Sequence, residues 1–531
     1  MKLISLSIEN FRGYKNKTTI NFSELTALVG KNDIGKSTVM DALDIFFEDG
    51  RGVIKLDKSD INVENRANNL NDITISATFT DLPQSVILDG TNETSLEKEY
   101  LLNTEGNLEI QKVFKNGDTK SNSIKVCLNA NHPSHNECDS LLQKKNTDLK
   151  KIVEELGLEC NKSVNAEMRY AIWKHYEMEL GCQAKMIDVA SKDGDIKSIW
   201  EKLQIYLPHF SLFQSDRKNN DSDDEVQDPL KEAVKQIFKE DEIQRTLSEV
   251  ATKVKNKVQE VADLTLEKLK EMSPEISDTL HPNIPSVDSL KWPDVFKGLS
   301  ISGDDDISIN KRGSGVKRLI LLNFFRAEAD RRKRESNNPS IIYAIEEPET
   351  SQHKSHQIML INALKKLSEE ANTQVIITTH SSDIVKNLNF TNLKLITHKE
   401  DGHPSILPFE RNCLPYPSLN EANYRAFEDI SEEFHNELYG FLQSKAIEED
   451  SDNGGEKEFD NWLEQKGCEK TKQWIRIRNG NPCPSVPATP QTYIRNMIHH
   501  PENKANDNYT KDELKLSIEK MVEIAKSLVI T

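Results

Sequence analysis

The chain lacks long apolar runs: nowhere in its 531 residues does one approach the roughly 20 consecutive residues a membrane-spanning helix needs. Its first residues, Met1-Lys-Leu-Ile-Ser-Leu-Ser-Ile-Glu9, alternate as a strand and read as part of the fold rather than as a secretory leader. Cysteine is sparse. Seven are scattered without paired spacing, an odd number that offers no disulfide framework and suits a reducing, cytoplasmic setting. Positive charge is in deficit too. Lys and Arg number 69 against 87 Asp and Glu, and a net charge of −18 opposes indiscriminate binding to nucleic-acid phosphates. A local basic strip survives at Lys311, Arg312, Lys317, Arg318, Arg326 and Arg331-Arg-Lys-Arg334, and a nucleic-acid contact or a solvated helix face explains it equally well. With 29% charged and 36% apolar residues over this length, two or three domains with exposed helices are expected.

What is present is a set of four short segments suited to polyphosphate. Gly30-Lys-Asn-Asp-Ile-Gly-Lys-Ser37 has GxxxxGKS spacing, after an apolar strand (Leu25 to Val29) and before a helix-forming run (Ser37 to Phe46). Gly30 and Gly35 let the backbone curl until its amides face phosphate, and the helix that follows adds the positive end of its dipole. Lys36 would reach the β- and γ-phosphates, and the Ser37 hydroxyl would ligate Mg²⁺. Asn32, Asp33 and Thr38 complete the candidate loop.

The second segment, Lys311 to Leu319, holds Gly313-Ser314-Gly315 at the start of a helical run, with amides and a hydroxyl fit for a γ-phosphate. The third is the strand Ile341 to Ile345, leading into Glu346-Glu347-Pro348-Glu349. Glu346 would hold Mg²⁺ through water, and Glu347 would orient the attacking water. The fourth, Val375-Ile-Ile-Thr-Thr-His380, ends a buried strand in a histidine able to sense the γ-phosphate.

In this order, with IEEPETSQH and TTHSSD intact, the segments resemble the RecF/SMC-like ABC ATPases, most closely their OLD branch. The resemblance implies an α/β fold: an ABC-type P-loop ATPase head with an antiparallel β subdomain and a helical insertion, using ATP and Mg²⁺. It implies a homodimer or higher oligomer, since the Ser314 segment of one head completes the site of another. Ile8-Glu-Asn-Phe-Arg-Gly-Tyr14 matches the branch as well, placing Arg12 near the nucleotide. Glu346 departs from the aspartate of most ABC proteins, although the double-glutamate form occurs in the OLD branch.

The expected organisation is an N-terminal ATPase lobe with the β subdomain (1–135), a helical insertion (136–294), a C-terminal ATPase lobe (295–411) and a C-terminal all-α domain (412–531). Ile73 to Phe79 alternates strictly, and Glu99 to Leu102 with Leu108 to Phe114 flank a hairpin turn. From Pro229 to about Met272 apolar residues recur at threes and fours as a helical arm, preceded by an acidic stretch (Asp221 to Asp228) and by Phe213-Gln-Ser-Asp-Arg217, a solvated loop or a regulatory contact near the nucleotide. Phe427, Ile430, Phe434, Leu438 and Phe441 mark one amphipathic helix; Leu514, Ile518, Met521, Ile524 and Leu528 mark another. Cys127, His132, His135 and Cys138 could ligate zinc, but their spacing matches no known module and a polar loop is the expectation.

OLD nucleases carry a Toprim domain after the ATPase. Here the only comparable carboxylates, Asp450 and Asp452, follow no strand. Arg495 and His500 instead resemble the Rx4–6H motif of HEPN ribonucleases, a catalytic pair or a pair kept for folding or partner docking. An ATPase of this kind with a compact helical domain looks similar to those of bacterial anti-phage systems, Septu-type and retron-associated. The implied function is an ATP-driven regulatory scaffold holding a separately encoded nuclease, HNH type favoured. An ATP-gated HEPN-like ribonuclease and a RecF/SMC-like DNA-repair ATPase are the alternatives.

Overall fold

The computed structural model describes residues 1–31, 34–88, 92–120, 123–189, 196–213, 241–278, 280–283, 300–303, 340–350, 353–398 and 402–529. Gly313, Ser314, Gly315, Asn32, Asp33, the basic strip and the acidic loop before the arm lie outside them. The strands are β1 (Lys2–Glu9), β2 (Thr18–Asn21), β3 (Leu25–Val29), β4 (Ile73–Thr80), β5 (Leu108–Phe114), β6 (Ile124–His132), β7 (Gln183–Asp188), β8 (His209–Phe213), β9 (Leu280–Asn283), β10 (Ser300–Gly303), β11 (Ile341–Glu346), β12 (Thr373–Thr378), β13 (Leu393–His398) and β14 (Pro404–Pro408). The chain divides into two compact units: residues 1–25 with 37–378, and residues 26–36 with 379–531.

In the first unit β1, β2 and β4 to β7 form an antiparallel sheet ordered β2-β1-β4-β5-β6-β7. The alternation in β4 has its expected cause, since Ile73, Ile75, Ala77 and Phe79 are all buried on one face. Against that face lies the helix Lys36–Phe47 (α1), whose Phe46 and Phe47 rings both sit 6.3 Å from Phe79. Lys112 of β5 is buried at the end of α1, where its ammonium donates to the Phe46 carbonyl (2.7 Å) and to Asp49 (2.6 Å). The cation thereby satisfies a terminal helix carbonyl and opposes the helix dipole. A separate parallel set pairs β11 with both β8 and β12. Gln374 ties the two sheets together: its side chain accepts from Leu3 N (2.8 Å) and donates to Leu3 O (2.9 Å) and Ser23 O (3.2 Å).

Two local expectations change here. Glu99 to Leu102 is a turn rather than a strand, and β5 pairs with β4 and β6. Glu99 is drawn inward by Arg169 of the helix Asn165–His175, in a two-point ion pair (2.7 and 3.0 Å) whose side chains are both 1% exposed. The four candidate zinc ligands do not share a polar loop. Cys127 and His132 lie on β6 at positions of opposite parity and so point to opposite faces, while His132 Nδ1 meets the Tyr100 carbonyl (3.0 Å). Burial lowers the His132 pKa to about 4.

The second unit holds β3, parallel to β13, with β14 antiparallel beyond it. It also holds the helices Leu419–Phe427, Glu432–Glu449, Glu456–Gln465, Pro490–His499 and Lys511–Val529. Their core includes Phe434, Leu438, Leu442, Phe459, Trp462, Ile494, Ile518 and Met521. The periodicity from Phe427 to Phe441 spans two helices, not one. Glu428 takes a left-handed φ of 48°, and the Ser431 hydroxyl caps the next helix by accepting from Phe434 N (3.2 Å). The expected all-α domain also carries two short antiparallel ribbons, Lys472–Trp474 with Val486–Ala488 and Ile477–Arg478 with Asn481–Pro482. Among the described residues no helix is long and apolar enough to cross a membrane.

His435 in this core makes its stability depend on pH. Its Nε2 meets the Ser517 hydroxyl at 2.9 Å, and burial lowers its pKa to about 3. The unfolded chain, with an ordinary histidine near 6.5, binds the proton first, so stability is full above that pH and falls as pH drops toward 3. At pH 5 the loss is about 2 kcal/mol. Denaturant unfolding should show this slope between pH 6.5 and 5, and His435→Gln should flatten it.

Candidate functional site

In the second unit, β3 delivers the chain into the glycine loop. Gly30 has φ 151°, and a Cβ there would lie 2.6 Å from the Ile396 carbonyl, so a side chain is excluded by backbone. Gly35 has φ 104°, again a glycine conformation. Lys36 is 5% exposed, and its ammonium donates to the carbonyls of Gly30 (2.9 Å) and Lys31 (2.6 Å), which hold the charge over its own loop. His380 belongs to this unit too. Thr379 N donates to Leu28 O (3.2 Å), two residues before Gly30, while the Ser381 hydroxyl caps the following helix by accepting from Ile384 N (3.2 Å). His380 is fixed between an anchored strand end and a capped helix start.

The adjacent Glu346 and Glu347 lie in the first unit. Glu346 ends β11, in register with Thr378 of β12, and its carboxylate receives a hydrogen bond from the Ser37 hydroxyl at the start of α1. Burial pushes the Glu346 carboxyl up to about 7; Asp41 and Glu347 push the same way, while Ser37 and Arg12 oppose. Its Oε1 is buried with no hydrogen-bond partner among the described residues. A buried carboxylate oxygen lacking a donor, beside a serine hydroxyl, is the hard-oxygen donor set that Mg²⁺ takes. These residues fit the ion.

Arg12 belongs to the same cluster. It has a left-handed φ of 48°, its Nε donates to Asp60 (2.8 Å), and another guanidinium nitrogen reaches Asp41. Its backbone is held by Asp60 O and by Asn62 Nδ2, both at 2.6 Å. Asp41 lies one helical turn beyond Ser37 on α1, so Arg12 pins the loop after β1 to the helix that carries Ser37 and Thr38. Burial raises the Asp41 pKa, and Arg12 opposes that rise.

Glu347 has φ 39°, the one left-handed residue of its strand exit, at a cost of about 1–3 kcal/mol for a non-glycine. Its amide donates to both the carbonyl and the hydroxyl of Thr378, each at 3.1 Å. A turn with Pro348 in second place closes through Thr350 N to Glu347 O (3.0 Å), and the Thr350 hydroxyl donates to the Glu347 carboxylate (3.2 Å). Asp41, Asp60, Thr350 and Thr378 escaped the sequence reading. Only Asp41, at helical spacing from Ser37, carried a local signal.

Arg495 and His500 each have a hydrogen-bond partner of their own. The Arg495 guanidinium donates to Asn496 (3.0 Å) and lies 5.8 Å from the Tyr439 ring, while His500, just beyond the helix Pro490–His499, pairs with Glu502 (3.2 Å). His500 lines an open cleft of about 610 Å³ with Arg476, Arg478, Glu456 and Asn496, the residue to which Arg495 donates.

Residues 1–385 match the family described as AAA_15, AAA ATPase domain. None of the curated proteins matches the sequence. Solved structures with similarity include an SmcHead bound to the C-winged helix domain of ScpA, at 15% identity over 80% of this chain and 100% of that one, with a TM-score of 0.39. The SMC head domain from Thermotoga maritima matches at 14% identity over 77% and 100%, with a TM-score of 0.33. The Smc head domain of Pyrococcus furiosus, with an extended coiled coil and bound to the C-terminal domain of ScpA, matches at 14% over 80% and 99%, with a TM-score of 0.39. The family match covers most of the chain, including the glycine loop, the double glutamate and the histidine strand exit, and on it the chain belongs to the AAA ATPase domain family, an α/β P-loop ATPase that binds ATP.

Proposed function

We propose that this ATPase is the ATP-driven regulatory scaffold of an anti-phage system, which holds and controls a separately encoded nuclease of HNH type. The observation that carries the ATPase chemistry is the half-buried Glu346, with its buried, orphaned oxygen beside Ser37, next to a Glu347 held from both backbone and side chain. In the proposed site the glycine-loop amides and Lys36 would bind the β- and γ-phosphates, and Ser37 and Glu346 would hold Mg²⁺, which would supply charge neutralisation during phosphoryl transfer. The Glu347 carboxylate would accept a hydrogen bond from the attacking water and align it, His380 would sense the γ-phosphate, and Arg12 is a secondary candidate for nucleotide contact. Ser314 of a second copy closes the site, so the working unit is a homodimer or higher oligomer.

What supports the scaffold role is the second unit: a compact helical core after the ATPase segments, with Asp450 capping a turn by accepting from Asp452 N (3.1 Å) rather than ending a strand as a Toprim carboxylate does. The test is purification of the chain from its native operon after phage challenge. A nuclease should co-elute, and Lys36→Ala should abolish protection while leaving co-elution intact. Protection that persists in Lys36→Ala, or a chain that elutes without a nuclease, contradicts the proposal.

A further inference from the structure

We propose that Thr378 and Thr350 are positioning residues for ATP hydrolysis, acting through Glu347; this rests on the reading of Glu347 as the residue that orients water. The reasoning starts from a conformational difficulty. Glu347 is not glycine, yet it follows an extended strand with a φ of 39°. Left to itself, such a residue relaxes to negative φ and swings its carboxylate away from the strand exit.

Two threonines oppose that relaxation from different sides. Thr378 is 1% exposed at the end of β12, and its hydroxyl accepts from Glu347 N at 3.1 Å beside its own carbonyl at the same distance. One amide is thus shared between two acceptors of one residue, which fixes the plane of the peptide preceding Glu347. Thr350 works on the other end. Its amide closes the turn onto Glu347 O (3.0 Å), and its hydroxyl donates to Glu347 Oε2 (3.2 Å), which selects one rotation of the carboxylate.

Neither hydroxyl needs to touch nucleotide for this role. A carboxylate that aligns water must be held within a fraction of an ångström, and a 1 Å misplacement costs on the order of 10²-fold in rate. Valine in place of either threonine keeps the β-branched shape and removes only the oxygen. Losing Thr378 Oγ leaves the backbone acceptor in place, so about a tenfold loss is expected there, and a similar loss at Thr350.

The experiment measures steady-state ATP hydrolysis and equilibrium ATP binding for the full-length chain and for Thr378→Val, Thr378→Ser, Thr350→Val and Thr350→Ser. Each is made alone and in the Glu347→Gln background, with thermal unfolding followed throughout. The expected result is a kcat about tenfold lower in both valine variants, with KM and ATP affinity unchanged, and recovery in both serine variants. In the Glu347→Gln background the valine changes should add nothing, because the charge they position is gone. Parental kcat in the valine variants, an equal loss in valine and serine variants, or a further loss on top of Glu347→Gln overturns the positioning role. If Glu347→Gln itself turns over at the parental rate, the reading of Glu347 has failed instead, and that outcome is distinct.

Discussion

Glu347→Gln should bind ATP with affinity close to parental and hydrolyse it about 10² to 10⁴ times more slowly. Glutamine keeps the length and the acceptor oxygen but loses the charge that polarises water, and in phosphoryl transfer positioning and electrostatics carry nearly all the catalysis. Structural collapse does not explain this loss. The constraints on Glu347 are its amide to Thr378, its carbonyl to Thr350 N and the Thr350 hydroxyl to a side-chain oxygen, all of which glutamine can keep. Single-turnover hydrolysis beside an equilibrium binding titration separates the two quantities. An unchanged turnover rate removes Glu347 from the chemistry.

The second large effect should appear when two inactive chains are mixed. If Ser314 of one head completes the site around Lys36 of another, Lys36→Ala and Ser314→Arg chains should each be inactive alone. A mixed dimer contains one site with both residues intact. In an equal mixture half the dimers are mixed, so up to about a quarter of the parental rate should return. Chains that work singly give no recovery, and that result would remove the facing-head arrangement.

The parts of this protein legible in its sequence are those whose cause is local. The alternation of Ile73 to Phe79 is an inward sheet face because successive side chains of a strand point to opposite sides. The mostly apolar strands β3 and β11 and the apolar centre of β12 are buried throughout, or nearly so, and the candidate polar residues come at their exits. What stayed hidden depends on contacts between distant residues. Arg12 meets Asp41 and Asp60, 29 and 48 residues away, and the clamp on Glu347 comes from Thr378, 31 residues on. No periodicity reports such pairs. Glu99 reads as the edge of a hairpin until Arg169 is seen to bury it. In the helical core, Phe427 and Phe434 share a period across a left-handed residue at Glu428, and a hydrophobic repeat cannot register a break that keeps its phase.

Titration of the purified chain with Mg·ATP, alongside Lys36→Ala and Glu347→Gln and with hydrolysis followed in the same samples, tests the nucleotide site most directly. The parental chain should bind and turn over ATP, Glu347→Gln should bind without comparable turnover, and Lys36→Ala should fail to bind, because the ammonium now held by the carbonyls of Gly30 and Lys31 is the group we propose meets the phosphates. Parental binding and hydrolysis in Lys36→Ala and Glu347→Gln alike would contradict the account.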